Sequence, residues 1–387
     1  MKRLAIITTH PIQYNAPLFK LLFQRANIAI KVFYTWGESV LENKFDPGFG
    51  KEIKWDIPLL EGYVYEFVTN KAKSPGSHHY KGIVNPDLVK RILAFNADVI
   101  LVYGWNFHSH LNCLRYFKGK LPVLFRGDST LLKQDSILKR IARKIFLKWV
   151  YTHVDKALFV GKNNLDYYKA MGLKEQKLVF APHAVDNERY QKNQEEFETL
   201  AKRKRLDLGI PDEAIVFMYA GKFEPTKNLY FLINSFNKLN NDNAYLLLVG
   251  DGNLKESLIQ QAGANKKIIF LPFQNQQQMP VVYRISDVYV LPSLGETWGL
   301  SINEAMACNR AILASERCGA AIDLIKEGKN GFVFKTSLDT DLLNKLELLS
   351  ADKKRTHLMG LFSGDLISEW SLSNLALVIE NTVNEIA

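Results

Sequence analysis

Short apolar runs recur along this chain, and the stretches between them carry apolar residues at helical spacing. Leu4–Thr8, Ala29–Tyr34, Val99–Val102, Val123–Phe125, Lys156–Val160 and Leu178–Ala181 predict strands in the first half. Ile215–Tyr219, Tyr245–Val249, Ile268–Leu271, Val288–Leu291 and Ala311–Ala314 do so in the second. The runs are nearly continuous rather than alternating, which fits strands of parallel sheets covered on both faces by helices. Two such sets, each of domain size, predict an α/β protein with two doubly wound, Rossmann-like domains. The polar stretch from Asn187 to Arg205, ending Lys202-Arg203-Lys204-Arg205, is expected to connect them and to supply the first helix of the second. The expected organisation is therefore an N-terminal domain over 1–190 and a C-terminal domain over 191–365. A closing helix over 366–387, with Leu375, Val378, Ile379 and Val383 on one stripe, should pack back on the first domain.

Composition changes this picture little. A chain of 387 residues exceeds one ordinary core, and 47% hydrophobic with 23% charged residues is the balance of a soluble globular protein. No apolar run approaches the ~20 residues that cross a bilayer. The stretch Met1–His10 is too briefly apolar for a leader and lacks a small-residue cleavage site, so a first strand and a cytoplasmic location are expected. Cys113, Cys308 and Cys318 fit neither zinc spacing nor a disulfide framework.

Charge changes it more. Residues 1–190 hold 29 Lys and Arg against 16 Asp and Glu, whereas residues 191–387 hold 21 against 24. The two halves should therefore meet different partners. No nucleic-acid-binding signature accompanies the basic half, which leaves an anionic membrane surface. Within it, Lys139–Val150 combines five cations with a stripe of Leu138, Ile141, Ile145 and Trp149. Such a helix either packs on the core or lies on a membrane.

Chemistry concentrates after strand ends. Gly221-Lys222-Phe223-Glu224-Pro225-Thr226-Lys227 follows one strand and precedes a helix, where two lysines can converge on an anion, yet it is neither a Walker loop nor a dinucleotide fingerprint. Glu296 and Glu304 stand eight positions apart around Gly299, with a helix expected over Leu300–Ala307, a spacing that puts two carboxylates roughly on one helical face. One acid then sits at the strand-to-helix turn beside backbone N–H groups, and the other lies deeper along the helix. His10 and Gln13, in His10-Pro11-Ile12-Gln13-Tyr14, follow the first strand, and Arg126-Gly127-Asp128-Ser129 follows Val123–Phe125. The pairs His78-His79 and His108-x-His110 lack further ligands at metal spacing. Asp339-Thr340-Asp341 is better explained as the acidic first turn of a helix than as a metal motif.

The order Gly221-Lys222…Lys227, Val249-Gly250-Asp251-Gly252, Leu271-Pro272-Phe273 and Pro292-Ser293…Glu296-x7-Glu304 resembles the retaining glycosyltransferases of family 4, strongly over residues 210–335 and more loosely before them. The resemblance implies the GT-B fold, two Rossmann-like domains facing each other across a cleft, and a nucleotide diphospho-sugar donor. Carried onto this chain, it puts the donor pyrophosphate on Lys222, where relatives most often have Arg, and on Lys227, beside the tight turn at Gly221. Backbone N–H groups of Trp298, Gly299 and Leu300 would add to them. It gives Glu296 the transferred sugar, Glu304 the ribose, and Phe273 and Gln274 the base. Glu296, His10 and Asp128 would be catalytic, with Asp128 near the place where relatives present a histidine; Gln13 and Arg126 would face the acceptor. Pro182-His183-Ala184 departs from the Pro-Asn-Gly usual in the family. The resemblance implies transfer to a glycan or lipid-linked acceptor in surface polysaccharide synthesis, with no metal or other cofactor. A nucleotide-sugar 2-epimerase of the same architecture and a non-catalytic sugar-binding protein are the alternatives.

Overall fold

The computed structural model of the protein describes residues 1–38, 44–46, 48–132 and 136–387. Strands of the first half are β1 (Arg3–Thr8), β2 (Ala29–Tyr34), β3 (Lys44–Asp46), β4 (Lys51–Ile53), β5 (Tyr65–Phe67), β6 (Val99–Tyr103), β7 (Val123–Arg126), β8 (Lys156–Phe159) and β9 (Leu178–Phe180). Those of the second are β10 (Ile215–Ala220), β11 (Ala244–Val249), β12 (Ile268–Leu271), β13 (Val288–Leu291), β14 (Ala311–Ser315) and β15 (Gly331–Phe334). One sheet runs β5-β2-β1-β6-β7-β8-β9 and the other β12-β11-β10-β13-β14-β15, and the strand pairs described within them are parallel. A small third sheet pairs β3 with β4.

The central strands explain the apolar runs. Leu4, Ala5, Ile6 and Ile7 of β1 are all fully buried, as are Val288, Tyr289 and Val290 of β13, because helices cover both faces. In each sheet the strand order reverses at the centre, between β1 and β6 and between β10 and β13. Loops leaving the carboxyl ends of these strands border the crevice where open α/β sheets bind ligands.

The chain divides into two compact units. The first comprises Met1–Lys44, Pro58–His183 and Leu372–Ala387, and the second Phe45–Ile57 and Ala184–Ser371. The boundary thus falls at 183/184 rather than at 190/191. Asn187 Nδ2 donates to the Ile367 and Trp370 carbonyls (3.0 and 3.3 Å), and Arg284 Nη2 donates to the Tyr190 carbonyl (2.7 Å), so the short helix Asn187–Gln191 belongs to the second unit. Phe45–Ile57 also belongs there, although its neighbours in sequence build the first sheet. The closing helix, Leu372–Ile386, groups with the first unit. Its Glu380 accepts two bonds from the Arg25 guanidinium (2.8 and 2.9 Å) and one from Asn27 Nδ2 (2.9 Å).

The basic helix spans Ile137–Tyr151. Only Leu147, Val150 and Tyr151 are buried, on the last two turns. Leu138 is 82% exposed, Ile145 68% and Ile141 52%, so the stripe faces solvent rather than the core.

Candidate active site

In the second unit, the candidate residues gather at the carboxyl ends of β10, β12 and β13. The loops after β10 and β13 are stitched together where Leu294 N–H donates to the Thr226 carbonyl (2.8 Å). Beside that bond Lys227 Nζ reaches Glu296 Oε1 at 2.5 Å, and Ser293 Oγ donates to the same oxygen (2.9 Å). Ser293 was missed by sequence reasoning, although it lies inside the quoted motif. Glu296 N–H donates to the Arg317 carbonyl (3.0 Å), which ties the turn to the segment after β14. Both side chains of the Lys227–Glu296 pair are about one-fifth exposed, at 20% and 18%. The pair is therefore largely desolvated yet open at one side.

Gly299 caps the helix Leu300–Ala307 with φ +100°, and a Cβ there would meet Leu291 Cδ2 at 2.8 Å. Both facts call for glycine at the helix mouth, where Ile302 N–H turns back to the Gly299 carbonyl (2.9 Å) and the N–H groups of Leu300 and Ser301 have no helical carbonyl to bond. Trp298 is buried, with its Nε1–H on Asn303 Oδ1 (2.9 Å) and its ring against Trp370 (5.1 Å). Glu296 precedes the helix, so the two acids do not share a helical face. Glu304 lies within it, 3% exposed, and accepts from the Tyr283 hydroxyl (2.7 Å).

Lys222 is paired with Asp46, at 2.9 and 3.0 Å to its two oxygens. Burial would raise the Asp46 carboxyl, but the Lys222 ammonium and the N–H groups of Gly48 and Phe49 outweigh it and hold the pKa below the usual value. Gly221 packs edge to edge with Gly250, where a Cβ would fall 1.9 Å from the Gly221 carbonyl oxygen. Asp251, next to it, accepts from Lys51 (2.6 Å), Lys255 (2.7 Å) and Phe273 N–H (3.2 Å). Burial raises its carboxyl, and the bonds from Lys255 and Lys51 more than reverse this, to about 2. The Phe273 ring meets Phe49 at 4.8 Å, and Gln274 Nε2 donates to the Pro272 carbonyl (3.0 Å).

In the first unit, His10 follows β1 with Nδ1 on Thr9 Oγ1 (2.9 Å) and its ring edge-on to Trp36 (5.2 Å). Gln13 and Asp128 are partly buried at the same sheet edge. Arg126, expected toward the acceptor, is 4% exposed instead and donates to the Ala181 and Pro182 carbonyls, both at 3.0 Å. It clamps the turn that carries His183. Burial, then the Arg126 charge, pushes His183 down to about 4, against a smaller pull from Asp128. The sequence marks His183 only as a departure from the family turn; its closeness to Asp128 and Arg126 is a product of the fold. His110 is likewise pushed by burial to about 4, with Nδ1 toward the Tyr103 carbonyl (2.9 Å) and Nε2 on Thr35 Oγ1 (2.8 Å). Among the described residues, no group of three His, Cys, Asp or Glu is placed to hold a metal ion. Asp341 Oδ2 accepts from Lys335 N–H (2.8 Å) in the helix Asp339–Ser350; the Asp339 side chain lies outside the description.

Residues 201–360 match the family model of glycosyl transferases group 1. The matched region contains the loops after β10, β11, β12 and β13 described above. An uncharacterised glycosyltransferase of Methanocaldococcus jannaschii is 29% identical over 46% of this chain and 46% of its own length. The lipopolysaccharide 1,2-N-acetylglucosaminetransferase of Salmonella typhimurium is 29% identical over 44% of this chain and 49% of its own. The alignments thus span about half the length of these curated relatives. The crystal structure of Anabaena HepE in complex with UDP and glucose superposes with a TM-score of 0.71 at 18% identity, covering all of both chains. At that identity the likeness shows the fold, the two-domain Rossmann-like architecture of GT-B glycosyltransferases.

Proposed function

We propose that the protein is a retaining glycosyltransferase of family 4, moving a hexosyl-type group from a nucleotide diphospho-sugar to a glycan or lipid-linked acceptor in surface polysaccharide synthesis. The observation that carries this reading is the Lys227–Glu296 pair beside the glycine-capped helix mouth, at the strand-order reversal of the second sheet. A cation, a carboxylate and helix-start N–H groups within one turn suit a ligand with an anionic middle and a hydroxylated end. Lys227 and Lys222 take the diphosphate, Glu296 the hydroxyls of the transferred sugar, and Phe273 with Gln274 the base. Glu304 holds the ribose, which requires the ribose to enter the space that Tyr283 lines. UDP and glucose in the HepE structure, a relative in fold, support a donor of this class.

In the reaction, the bond from the sugar's anomeric carbon to the diphosphate breaks with its electron pair leaving on the phosphate oxygen. Lys222, Lys227 and the N–H groups stabilise that charge without requiring a metal ion. The acceptor hydroxyl attacks the short-lived oxocarbenium ion from the same face, and its proton passes to the departing oxygen. His10, Asp128 and Gln13 form the acceptor side.

The first unit is proposed to rest on the cytosolic face of an anionic membrane through the helix Ile137–Tyr151. Its exposed Leu138, Ile141 and Ile145, interleaved with Lys139, Arg140, Arg143, Lys144 and Lys148, give both apolar contact and charge complementarity. Among the described residues no helix is long and apolar enough to cross a bilayer. The test of the whole reading is incubation with nucleotide sugars and lipid-linked or glycan acceptors, following release of nucleoside diphosphate and the anomeric form of the product. An epimerised nucleotide sugar formed without acceptor would replace the transferase with the epimerase.

A further inference from the structure

The residues numbered 44–57 leave β2 and return to β5 of the first sheet, yet Phe45–Ile57 belongs to the second unit and docks on its candidate donor loops. Asp46 grips Lys222 through both oxygens and is itself fixed by the N–H groups of Gly48 (2.8 Å) and Phe49 (3.2 Å). Lys222 lies so closely over Gly48 that a Cβ there would fall 2.5 Å from its Cδ. Its ammonium also stands 5.1 Å from the centre of the Phe49 ring. On the far side of this contact, Lys51 pairs with Asp251 and stands 4.6 Å over Phe273, while Trp55 lies 6.4 Å from Phe273. Asn275 Nδ2 donates to the Lys54 carbonyl (2.7 Å), and Gln277 N–H donates to the Asp56 carboxylate (3.2 Å).

We propose that Asp46 is an internal stand-in for the donor's diphosphate, an affinity-setting residue that nucleotide must displace from Lys222, with Phe49 and Trp55 moving as it does. This rests on the reading of Lys222 and Lys227 as diphosphate ligands. A carboxylate and a diphosphate cannot both crowd one ammonium without mutual repulsion, and the diphosphate brings more charge and the second lysine. The Asp46–Lys222 pair is about one-third exposed on both sides, so the competition it exerts is modest.

The test is calorimetric titration of the full chain with UDP, GDP, ADP and inorganic pyrophosphate, on the native protein and on Asp46→Asn, Lys222→Ala, the double variant and Lys227→Ala. Asp46→Asn is expected to tighten the nucleotide that binds by roughly two- to fivefold, and the gain should vanish in the Lys222→Ala background. Binding to the native protein should also shift the tryptophan emission, and Trp55→Phe should remove that shift. If nucleotide binds and Lys227→Ala weakens it, but Asp46→Asn leaves affinity unchanged or lower and Trp55 is silent, the stand-in role is overturned while the donor site stands. If none of the probes binds the native protein, the donor site itself is overturned and the stand-in role with it.

Discussion

Lys227 and Glu296 form the charged centre of the candidate site, and Ser293 Oγ donates to the same Glu296 oxygen that Lys227 reaches. Lys227 and Glu296 are far apart in the chain, and their motif order suggested one ligand; the structure brings them to 2.5 Å. Arg126 shows the converse. The resemblance put it on the acceptor side, and nothing local revealed that Ala181 and Pro182 would present two carbonyls to it. Glu296→Gln should nearly abolish transfer while nucleoside diphosphate still binds, because the amide keeps the shape and loses the charge; near-normal turnover in a folded variant would remove Glu296 from the site. Arg126→Ala should destabilise the first unit by about 2–3 kcal/mol, since two buried carbonyls lose their donors; thermal unfolding measures it, and an unchanged midpoint would deny the clamp. His110 and His183 both titrate in the fold at about 4, below the ordinary 6.5. A depressed histidine pKa contributes stability that is whole above about 6.5 and is lost as pH falls toward 4. Unfolding midpoints should therefore drop through that window, and less steeply in His110→Gln.

At the scale of elements, the continuous apolar strands were plain because parallel strands buried on both faces carry little else. The pieces that escaped were β3, β4 and β5, each three residues long, and β15, which opens on a glycine; β4 and β5 carry no buried apolar run. The helix Ile137–Tyr151 was legible as a helix but not in its orientation. An amphipathic period reports that two faces differ, not which neighbour each one meets. Here the core takes Leu147, Val150 and Tyr151, leaving Leu138, Ile141 and Ile145 outside. Each cation near an anionic leaflet is worth on the order of 1 kcal/mol, so the five on this helix can hold it reversibly. Sedimentation with anionic vesicles should fall steeply with salt and with Lys144→Glu plus Lys148→Glu. Ile141→Ser plus Ile145→Ser should weaken binding at every salt concentration. Equal indifference to anionic and neutral vesicles at low salt would leave the exposed stripe without its proposed partner.

The whole molecule joins a basic first half to a nearly neutral second, and the resemblance is strongest where the charge is lowest. The ordered motifs of the resemblance all lie within residues 210–335, and the first half matches it only loosely. That is why the loops after β10 and β13 could be read directly and the edge carrying His10, Asp128 and His183 only in outline. The inclusion of Phe45–Ile57 in the second unit was not legible at all, because unit membership depends on contacts distant in sequence. Transfer is expected to survive exhaustive EDTA treatment; loss restored by magnesium or manganese would contradict the assignment of the diphosphate to lysines and backbone. Lys227 and the helix mouth are proposed to bind the diphosphate of a nucleotide sugar. Calorimetric titration of the native protein and of Lys227→Ala with a panel of nucleoside diphosphates and their sugars tests it most directly. Removing one charge-assisted bond of about 1.5–3 kcal/mol should weaken the bound member of the panel by one to two powers of ten. Unchanged affinity in Lys227→Ala, or no binding of any panel member to the native protein, would contradict it.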